Sequence, residues 1–478
     1  MNVLFAASEL SPYAKTGGLG DVLAALPAVM RRRGHSVSCV LPLYRGLREQ
    51  LPEAKLTDLV LTIPLGERTI PARVWKAATE TGVALFLIEE NDFFDRPSLY
   101  GEGGDYIDNA ARFIFFSKAI VELARHLQPV PQILHLNDWQ TGLVPAFVRA
   151  GGLPFKTVYT IHNLAYQGSF WGFDFAMTNL PGDYFSARGV EFYGYLNCMK
   201  AGITLAHQVT TVSPRYAEEI QTEAYGCSLQ GVLGEQRHKL TGILNGIDTE
   251  QWNPRADLFT AEPFHSGNLK GKAGCRDALL NEFGLPEEEG PVFGCITRLT
   301  YQKGIDLLRV VLDDLVGQGA RFVMLGSGDA EFEEWFRGLA ARHPRRVGIR
   351  IGFDEKLAHR IVAGSDFFLM PSLFEPCGLT QMYSLRYGTL PVVHETGGLA
   401  DSVDDYRPED GAEGGGTGFL FSPYAPGPFR EACQRALHLF PRKAELLAVR
   451  RRAMKKEFDW DRSAAAYEEV YSRALQSL

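Results

Sequence analysis

Apolar positions along this chain follow two alternating rhythms. VLFAAS (3–8) is almost continuously apolar, whereas Val22, Ala25, Leu26, Val29 and Met30 recur three and four residues apart. A short continuous run predicts a strand buried on both faces, and the wider spacing predicts an amphipathic helix. Gly34 closes that helix and SVSCVLP (36–42) opens the next strand. Strand-like runs follow at VALFLIE (83–89), QILHLN (132–137), KTVYTIH (156–162) and VTTVS (209–213), with helical patterns between them, including 106–127 and 197–207. The second half repeats the rhythm in VFGCITR (292–298), RFVMLGSG (321–328), VGIRIGF (347–353), DFFLMPS (366–372) and LPVVHET (390–396). Strand–helix alternation predicts α/β units built on parallel, doubly wound sheets. The pattern breaks near LNGIDTEQWNP (244–254), which suggests a boundary between two such units. AAAYEEVYSRALQS near the end predicts a helix, and GAEGGGTG (411–418) reads as a flexible surface loop.

Composition narrows the class. The 478 residues suggest two or three domains, and 45% hydrophobic with 22% charged residues is an ordinary globular balance. A net charge of −8 argues against a broad nucleic-acid surface. The Arg31–Arg33 run ends a predicted helix, where cations favour the helix dipole, and reads as a solvated face. Seven scattered cysteines without a C-x-x-C pair read as reduced thiols of a cytosolic protein. MNVLFAASEL lacks a basic n-region and reads as a first strand, and no run of ~18 apolar residues predicts a membrane span. The expectation is a soluble cytoplasmic protein with no membrane contact.

Candidate chemistry gathers at strand ends. SPYAKTGGLGDV follows the first strand and opens a helix. Ligands of open α/β sheets bind beyond the carboxyl ends of strands, and glycines let backbone N–H groups approach an anion. Lys15 and Asp21 flanking Gly17 and Gly18 favour a site over a plain strand–helix turn capped by Asp21. Neither G-x-G-x-x-G nor the Walker pattern is present, which disfavours a Rossmann dehydrogenase. HLNDWQTG and TIHNLAYQG bring His135, Asp138, Trp139, His162 and Asn163 to one edge, a density of hydrogen-bonding groups that suits a sugar. No metal-ligand spacing occurs among them. In TRLTYQKG (297–304), Arg298 and Lys303 suit a diphosphate. In PSLFEPCGLTQ (371–381), Glu375 lies on a loop before a helix whose first N–H groups, at Gly378, Leu379 and Thr380, make an anion seat. An acid aimed at a sugar beside an anion seat is an arrangement for glycosyl transfer. Cys377 is a small spacer there, without a histidine partner that would make it a nucleophile.

KTGGLGD, HLNDWQTGL, TIHNLAYQG, LNGID, TRLTYQKG, FEPCGLTQ and TGGLADSV occur in the order found in bacterial glycogen synthases and plant starch synthases, and the chain resembles that family from end to end. The resemblance implies a GT-B fold, two Rossmann-like domains facing a deep cleft: residues 1–243, residues 244–457, and a helix at 458–478 crossing back to the first domain. It implies transfer of glucose from ADP-glucose to the non-reducing 4-OH of an α-1,4-glucan with retained configuration, without metal or cofactor. By resemblance Lys15, Gly17, Gly18 and Asp21 approach the donor, and Asp138, His162 and Asn163 lie near the transferred glucose. Arg298 and Lys303 hold the diphosphate, and Glu375 with Cys377–Thr380 holds sugar and phosphates. Asn245 and Phe353 complete the binding set. Two positions depart from related patterns: Tyr383 stands where many retaining transferases carry a second Glu, and Phe353 where relatives often carry Tyr. Nothing in the residues themselves selects adenine over uracil, and self-association is left open. A nucleotide-sugar epimerase, a glucan phosphorylase and a non-enzymatic glucan binder are the competing classes. Intact Lys15, Arg298, Lys303 and Glu375 weigh against the last.

The TGGL echo between KTGGLGD (15–21) and ETGGLAD (395–401) is expected to mark equivalent strand-end positions in two similar units.

Overall fold

A computed structural model describes residues 1–410 and 414–477. The chain divides into two compact units. One comprises Met1–Gly246 and the segment from Trp460 onward, the other Ile247–Asp459.

The first unit is built on strands β1 (Asn2–Ala6), β2 (Ser36–Pro42), β3 (Lys55–Leu65), β4 (Arg68–Ala78), β5 (Ala84–Glu89), β6 (Ile133–Asn137) and β7 (Lys156–Ile161). After a small separate sheet of β8 (Ser169–Trp171), β9 (Glu191–Phe192) and β10 (Tyr195–Asn197) come β11 (Gln208–Thr211) and β12 (Leu240–Gly242). The main sheet runs β12-β11-β7-β6-β1-β2-β5-β4-β3. Its first seven strands are parallel; six of them match the predicted runs and are largely buried, while β12, three half-buried residues, has no predicted counterpart. The all-parallel expectation needs correction at one edge, where β4 and β3 add antiparallel. There the pattern alternates: Leu61, Ile63 and Leu65 point inward, and the residues between them are exposed.

The second unit carries β13 (Val292–Leu299), β14 (Arg321–Gly328), β15 (Val347–Ile351), β16 (Phe367–Met370), β17 (Leu390–His394) and β18 (Phe419–Phe421). All are parallel, in the order β15-β14-β13-β16-β17-β18. Part of its core lies where Val323, Leu325 and Phe368 of the sheet meet Leu279, Leu280, Leu357 and Ile361 of two helices.

Strand order places the ligand edges. In the first sheet, β1→β2→β5 grows one way and β6→β7→β11→β12 the other, so the direction switches between β1 and β6. In the second, β13→β14→β15 grows one way and β16→β17→β18 the other, switching between β13 and β16. Loops diverge at such a switch and leave a crevice beyond the strand ends. The loops after β1, β6, β13 and β16 carry Lys15, Asp138, Lys303 and Glu375, with Arg298 at the end of β13.

Two expectations change here. Of GAEGGGTG, residues 411–413 lie outside the described residues, and Gly416–Gly418 are buried instead of forming a loose surface loop. A Cβ on Gly416 would lie 2.2 Å from the Tyr406 backbone. The Arg31–Arg33 run is not wholly solvated either, because Arg33 pairs with Glu468 at 2.8 Å.

Candidate active site

In the first unit the KTGG turn is organised by a residue that sequence reasoning missed. Glu9, just beyond β1, is 4% exposed. One carboxylate oxygen accepts the N–H groups of Thr16 (2.7 Å) and Gly17 (3.1 Å). The other accepts the Thr16 hydroxyl (2.6 Å) and the Tyr100 hydroxyl (2.8 Å), and Ser8 in turn donates to Tyr100 at 2.7 Å. An acid at the end of the apolar FAASEL run was the available signal; its partners 7 and 91 residues away were not. Thr16 and Gly17 therefore give their N–H groups to Glu9 and not to a ligand anion. Gly17 is the residue before the helix Gly18–Arg32, with extended φ of −155°, and a Cβ there would meet nothing within 4 Å. Neither strain nor packing within the chain requires this glycine, which leaves room for a close ligand. Asp21 is not a cap: it lies in the first helical turn, paired with Lys15 at 2.6 Å.

Asp138 follows β6 with φ of 56°, a left-handed conformation that non-glycine residues adopt at a cost and that concentrates at functional sites. Its Oδ1 accepts the His162 N–H at 2.8 Å. Burial pushes the Asp138 carboxyl up to about 7; the His162 and Asn163 amides pull it down, and the Glu9 charge pushes it further up. Asn137 donates its Nδ2 to Ala6 O (3.1 Å), so its Oδ1 faces His162 Nε2 at 2.9 Å. That oxygen can only accept, so Nε2 carries the imidazole proton and Nδ1 is the acceptor. Burial holds His162 down to about 3, so it acts as a neutral hydrogen-bonding group near pH 7. Asn163 Oδ1 accepts Ala165 N–H in a local turn at 3.1 Å. His135 does not join this edge. It is fully buried within β6, bonded to Tyr471 and Thr160 at 2.7 Å each, and anchors the helix Trp460–Gln476. Asn245, near the end of the first unit's continuous segment, is 6% exposed, and its buried Oδ1 finds no hydrogen-bond partner among the described residues.

In the second unit Arg298 is exposed at the end of β13, and its guanidinium has no hydrogen-bond or ion-pair partner among the described residues. Lys303 Nζ, by contrast, donates to Glu375 Oε2 at 2.6 Å, and the two side chains are 16% and 10% exposed. Ser372 Oγ donates to the same oxygen at 3.1 Å. Lys303 and Glu375 thus compensate each other in a mostly buried pair, whereas Arg298, at the end of β13, has no such partner among the described residues. Gly304 makes this approach feasible: its φ is 74°, and a Cβ would lie 2.0 Å from Pro371 O. Leu373 N–H to Gln302 O (2.9 Å) stitches the two loops together.

Gly378–Thr380 are partly exposed ahead of the helix Thr380–Arg386, and Cys377 is buried with its carbonyl bonded to Gln381 Nε2 at 3.0 Å. Phe353 stands 88% exposed beyond β15. Tyr383 stacks on Trp252 with ring centres 3.8 Å apart, so its position serves packing within the unit. Among the described residues no three His, Cys, Asp or Glu side chains converge as metal ligands.

The second TGGL differs physically from the first. Both follow a parallel strand and open a helix, Gly18–Arg32 and Gly397–Ser402. Yet Gly398 N–H donates to Glu375 O at 3.1 Å, and a Cβ on Gly397 would lie 2.0 Å from that oxygen. Gly397 and Gly398 support the loop that carries Glu375, whereas Gly17 faces open space.

Two α/β units on largely parallel sheets, each with polar and charged groups at its switch point, have the architecture of GT-B glycosyltransferases. Sucrose-phosphate synthase from Thermosynechococcus elongatus, only 18% identical, shares this fold with a TM-score of 0.61 over 99% of this chain and 98% of its own. Residues 2–235 match the starch synthase catalytic domain, and residues 279–449 match glycosyl transferases group 1. The glycogen synthase of Myxococcus xanthus is 45% identical, covering 98% of this chain and 99% of its own, and that of Opitutus terrae 43%, covering 99% and 100%. The catalytic domain of starch synthase IV from Arabidopsis thaliana, bound to ADP and acarbose, superposes with a TM-score of 0.89 at 34% identity, covering 99% of both chains. The chain belongs to the glycogen synthase family.

Proposed function

We propose that this enzyme transfers glucose from ADP-glucose to the non-reducing 4-OH of an α-1,4-glucan in the cytoplasm, with the anomeric configuration retained. The observation that carries the reading is the Lys303–Glu375 pair at the switch point of a parallel sheet, with the exposed Arg298, unpartnered among the described residues, at the end of β13 in the same switch region.

In this reaction the bond from C1 to the diphosphate oxygen breaks, and both electrons leave with ADP. Arg298 and the N–H groups from Gly378 to Thr380 receive the charge that develops on the diphosphate. Lys303 holds Glu375 toward the sugar, where positive charge develops at C1. The acceptor 4-OH attacks from the face the phosphate leaves and gives its proton to a departing phosphate oxygen, so the balance closes without an added base. A neutral His162, its Nδ1 an acceptor, and Asp138 fix the glucosyl hydroxyls, and Lys15 with Asp21 flanks the donor. Asn245 and the exposed Phe353 complete the donor set, Phe353 as a stacking surface for the base. Preorganised donors of this kind are each worth roughly 10²–10³ in rate.

The test is incorporation of labelled glucose into glycogen from ADP-glucose and UDP-glucose side by side, with EDTA present. Strong transfer from ADP-glucose under chelation is the expected result. Transfer from UDP-glucose alone would overturn the donor and keep the class. Interconversion of sugars with no polymer formed would point to the epimerase.

A further inference from the structure

We propose that the second unit carries an anion site, remote from the residues assigned to transfer, that takes a phosphate group borne on a small organic body. A cleft of about 290 Å³ lies at the N-terminal edge of its sheet, between the helices Lys270–Glu282 and Lys443–Ala453. Lys272 and Arg276 reach it from the first helix, and Lys443 and Arg450 from the second. Asp366, the residue before β16, is the one acid lining it among the described residues. Asp366 also fixes the location, because its Oδ2 accepts the N–H of Val292, the first residue of β13, at 2.9 Å. Arg298 and Glu375 lie at or beyond the opposite ends of these strands. β16 has four residues at about 3.3 Å each, so on the order of 13 Å of strand separates the cleft from the loop of Glu375.

The cations here exceed what the chain offers them. Asp366 Oδ1 accepts Arg450 NH2, and Oδ2, besides holding Val292, lies 3.7 Å from Arg276 Nε. Arg276 donates its NH2 to Gly290 O. Each guanidinium thus makes a single hydrogen bond among the described residues, and the Nε of both is buried without one. A structural arginine of the same unit is held differently: Arg435 donates to Asp405 Oδ1, Tyr406 O and Leu420 O at 2.9, 2.8 and 2.6 Å. Lys272 donates to Ala363 O and Thr389 Oγ1 at 2.8 and 2.7 Å. Burial foremost, then the Arg450 charge, holds its amine well below the ordinary lysine range. Even with Lys272 uncharged, Arg276, Arg450 and Lys443 face one carboxylate. Largely buried donors without partners cost free energy that a bound anion would offset.

The chemistry selects the occupant. A guanidinium fork matches the oxygens of a phosphate, and two forks with an ammonium suit a dianion. The rest of the wall is apolar, with Leu269, Leu447 and Phe440, whose ring lies 3.7 Å from Lys443 Nζ. A bare ion would leave that wall uncovered, whereas a monoester with a small apolar or ring-shaped body would fill it. The volume is near the lower end of small-molecule sites, about 300 Å³, and too small for a polymer. Bound there, the ligand ties both helices to the start of β16 and stabilises the folded chain. The site is independent of which nucleotide sugar the enzyme uses.

The test is isothermal titration of the full-length protein with inorganic phosphate and with phenyl phosphate, at ionic strength held constant with chloride. The parent would be compared with Lys443→Glu, Arg276→Gln and Arg298→Ala. Both probes should bind the parent, and Lys443→Glu and Arg276→Gln should each weaken binding about tenfold, as for loss of one charged contact. Arg298→Ala should leave this binding in place. Phenyl phosphate should bind the more tightly because it covers the apolar wall; equal or weaker binding would overturn the organic body and leave a site for the free ion. Lys443 is exposed at the first position of its helix, where an acid suits the dipole, so Lys443→Glu should keep a ligand-free Tm close to the parent's. Phosphate should then raise the Tm of the parent and not of this variant, a combination that damage to the fold cannot produce. Absence of binding by either probe at millimolar concentration would overturn the site. So would binding that Arg298→Ala abolishes and the other two variants leave intact, since it would belong to the transfer residues.

Discussion

Arg298 and Lys303 stand five residues apart in one loop region but in opposite electrostatic situations. Arg298 is exposed and has no side-chain partner among the described residues, so Arg298→Ala removes a charge and little else. Turnover at saturating donor should fall roughly 10²–10³-fold with Tm unchanged. Lys303→Ala also strips Glu375 of its ion-pair partner in a site where the two side chains are 16% and 10% exposed. Breaking a buried pair from one side costs about 3–5 kcal/mol, so both turnover and Tm should fall. Adding Glu375→Gln to Lys303→Ala removes the stranded charge and should restore much of the Tm but none of the turnover. Kinetics and calorimetry on the three variants separate these outcomes. A raised KM with unchanged turnover for Arg298→Ala would reduce that residue to plain substrate binding. At this scale the sequence was partly legible. Residue types and strand-end positions singled out Arg298, Lys303 and Glu375, because the motifs place them at or after the ends of parallel strands, and the structure pairs Lys303 with Glu375. The pairing of Lys303 with Glu375, and the hold of Glu9 on Thr16 and Gly17, depend on contacts across 72 and 7 residues that no local pattern encodes.

The helix Trp460–Gln476 shows how an element is fixed by a few polar contacts on an apolar face. Tyr467, Val470 and Tyr471 are buried against the first unit's sheet, and Tyr471 meets His135 there. At its edge Glu468 accepts Arg33 Nε and NH2 at 2.9 and 2.8 Å and lies 2.8 Å from His35 Nε2. The hydrogen bond from Arg33, foremost, holds the Glu468 carboxyl down to about 2. A depressed carboxyl pKa stabilises the fold above the unfolded-state value of about 4.3, and that contribution is lost as pH falls toward about 2. Glu468→Gln should therefore lower Tm at pH 7, by the equivalent of on the order of 1 kcal/mol for a partly exposed pair. The gap to the parent should close as pH falls below about 4. A gap that stays constant down to pH 2 would show that packing, not charge, is lost. Element legibility followed burial. Strands covered on both faces read as continuous apolar runs and were found. The β3–β4 ribbon has one exposed edge-sheet face and reads KLTDLVLTIPL, which a search for continuous runs passes over. Strands β8, β9 and β10, of two or three residues, are too short for any period to register.

On the scale of the molecule, chain order and spatial order disagree: residues 247–459 form the second unit, yet the segment from Trp460 onward returns to the first. The first unit's core is therefore incomplete until the end of the chain. Ending the chain at Asp459 would remove Trp460, Tyr467, Val470 and Tyr471, each buried to 6% exposure or less. At about 1.5–3 kcal/mol for each large apolar side chain, the loss is on the order of 10 kcal/mol. A whole domain is stable by only about 5–15 kcal/mol, so the first unit should not hold its native state. The second unit loses none of its own residues. Limited proteolysis of the truncated protein, read by mass spectrometry, should digest residues 1–246 while a fragment covering 247–459 resists. The intact protein under the same conditions should protect both regions. Equal protection of 1–246 in the truncated and intact chains would mean that the helix is an accessory to the first unit's core. Equal digestion of both regions would mean that the two units do not unfold independently. The argument for differential loss comes from packing alone: Trp460 closes over Gly246, where a Cβ would lie 2.7 Å from the indole. Gly246→Ala in the intact chain should thus reproduce part of the truncation's effect, lowering the stability of the first unit while the 247–459 fragment keeps its resistance.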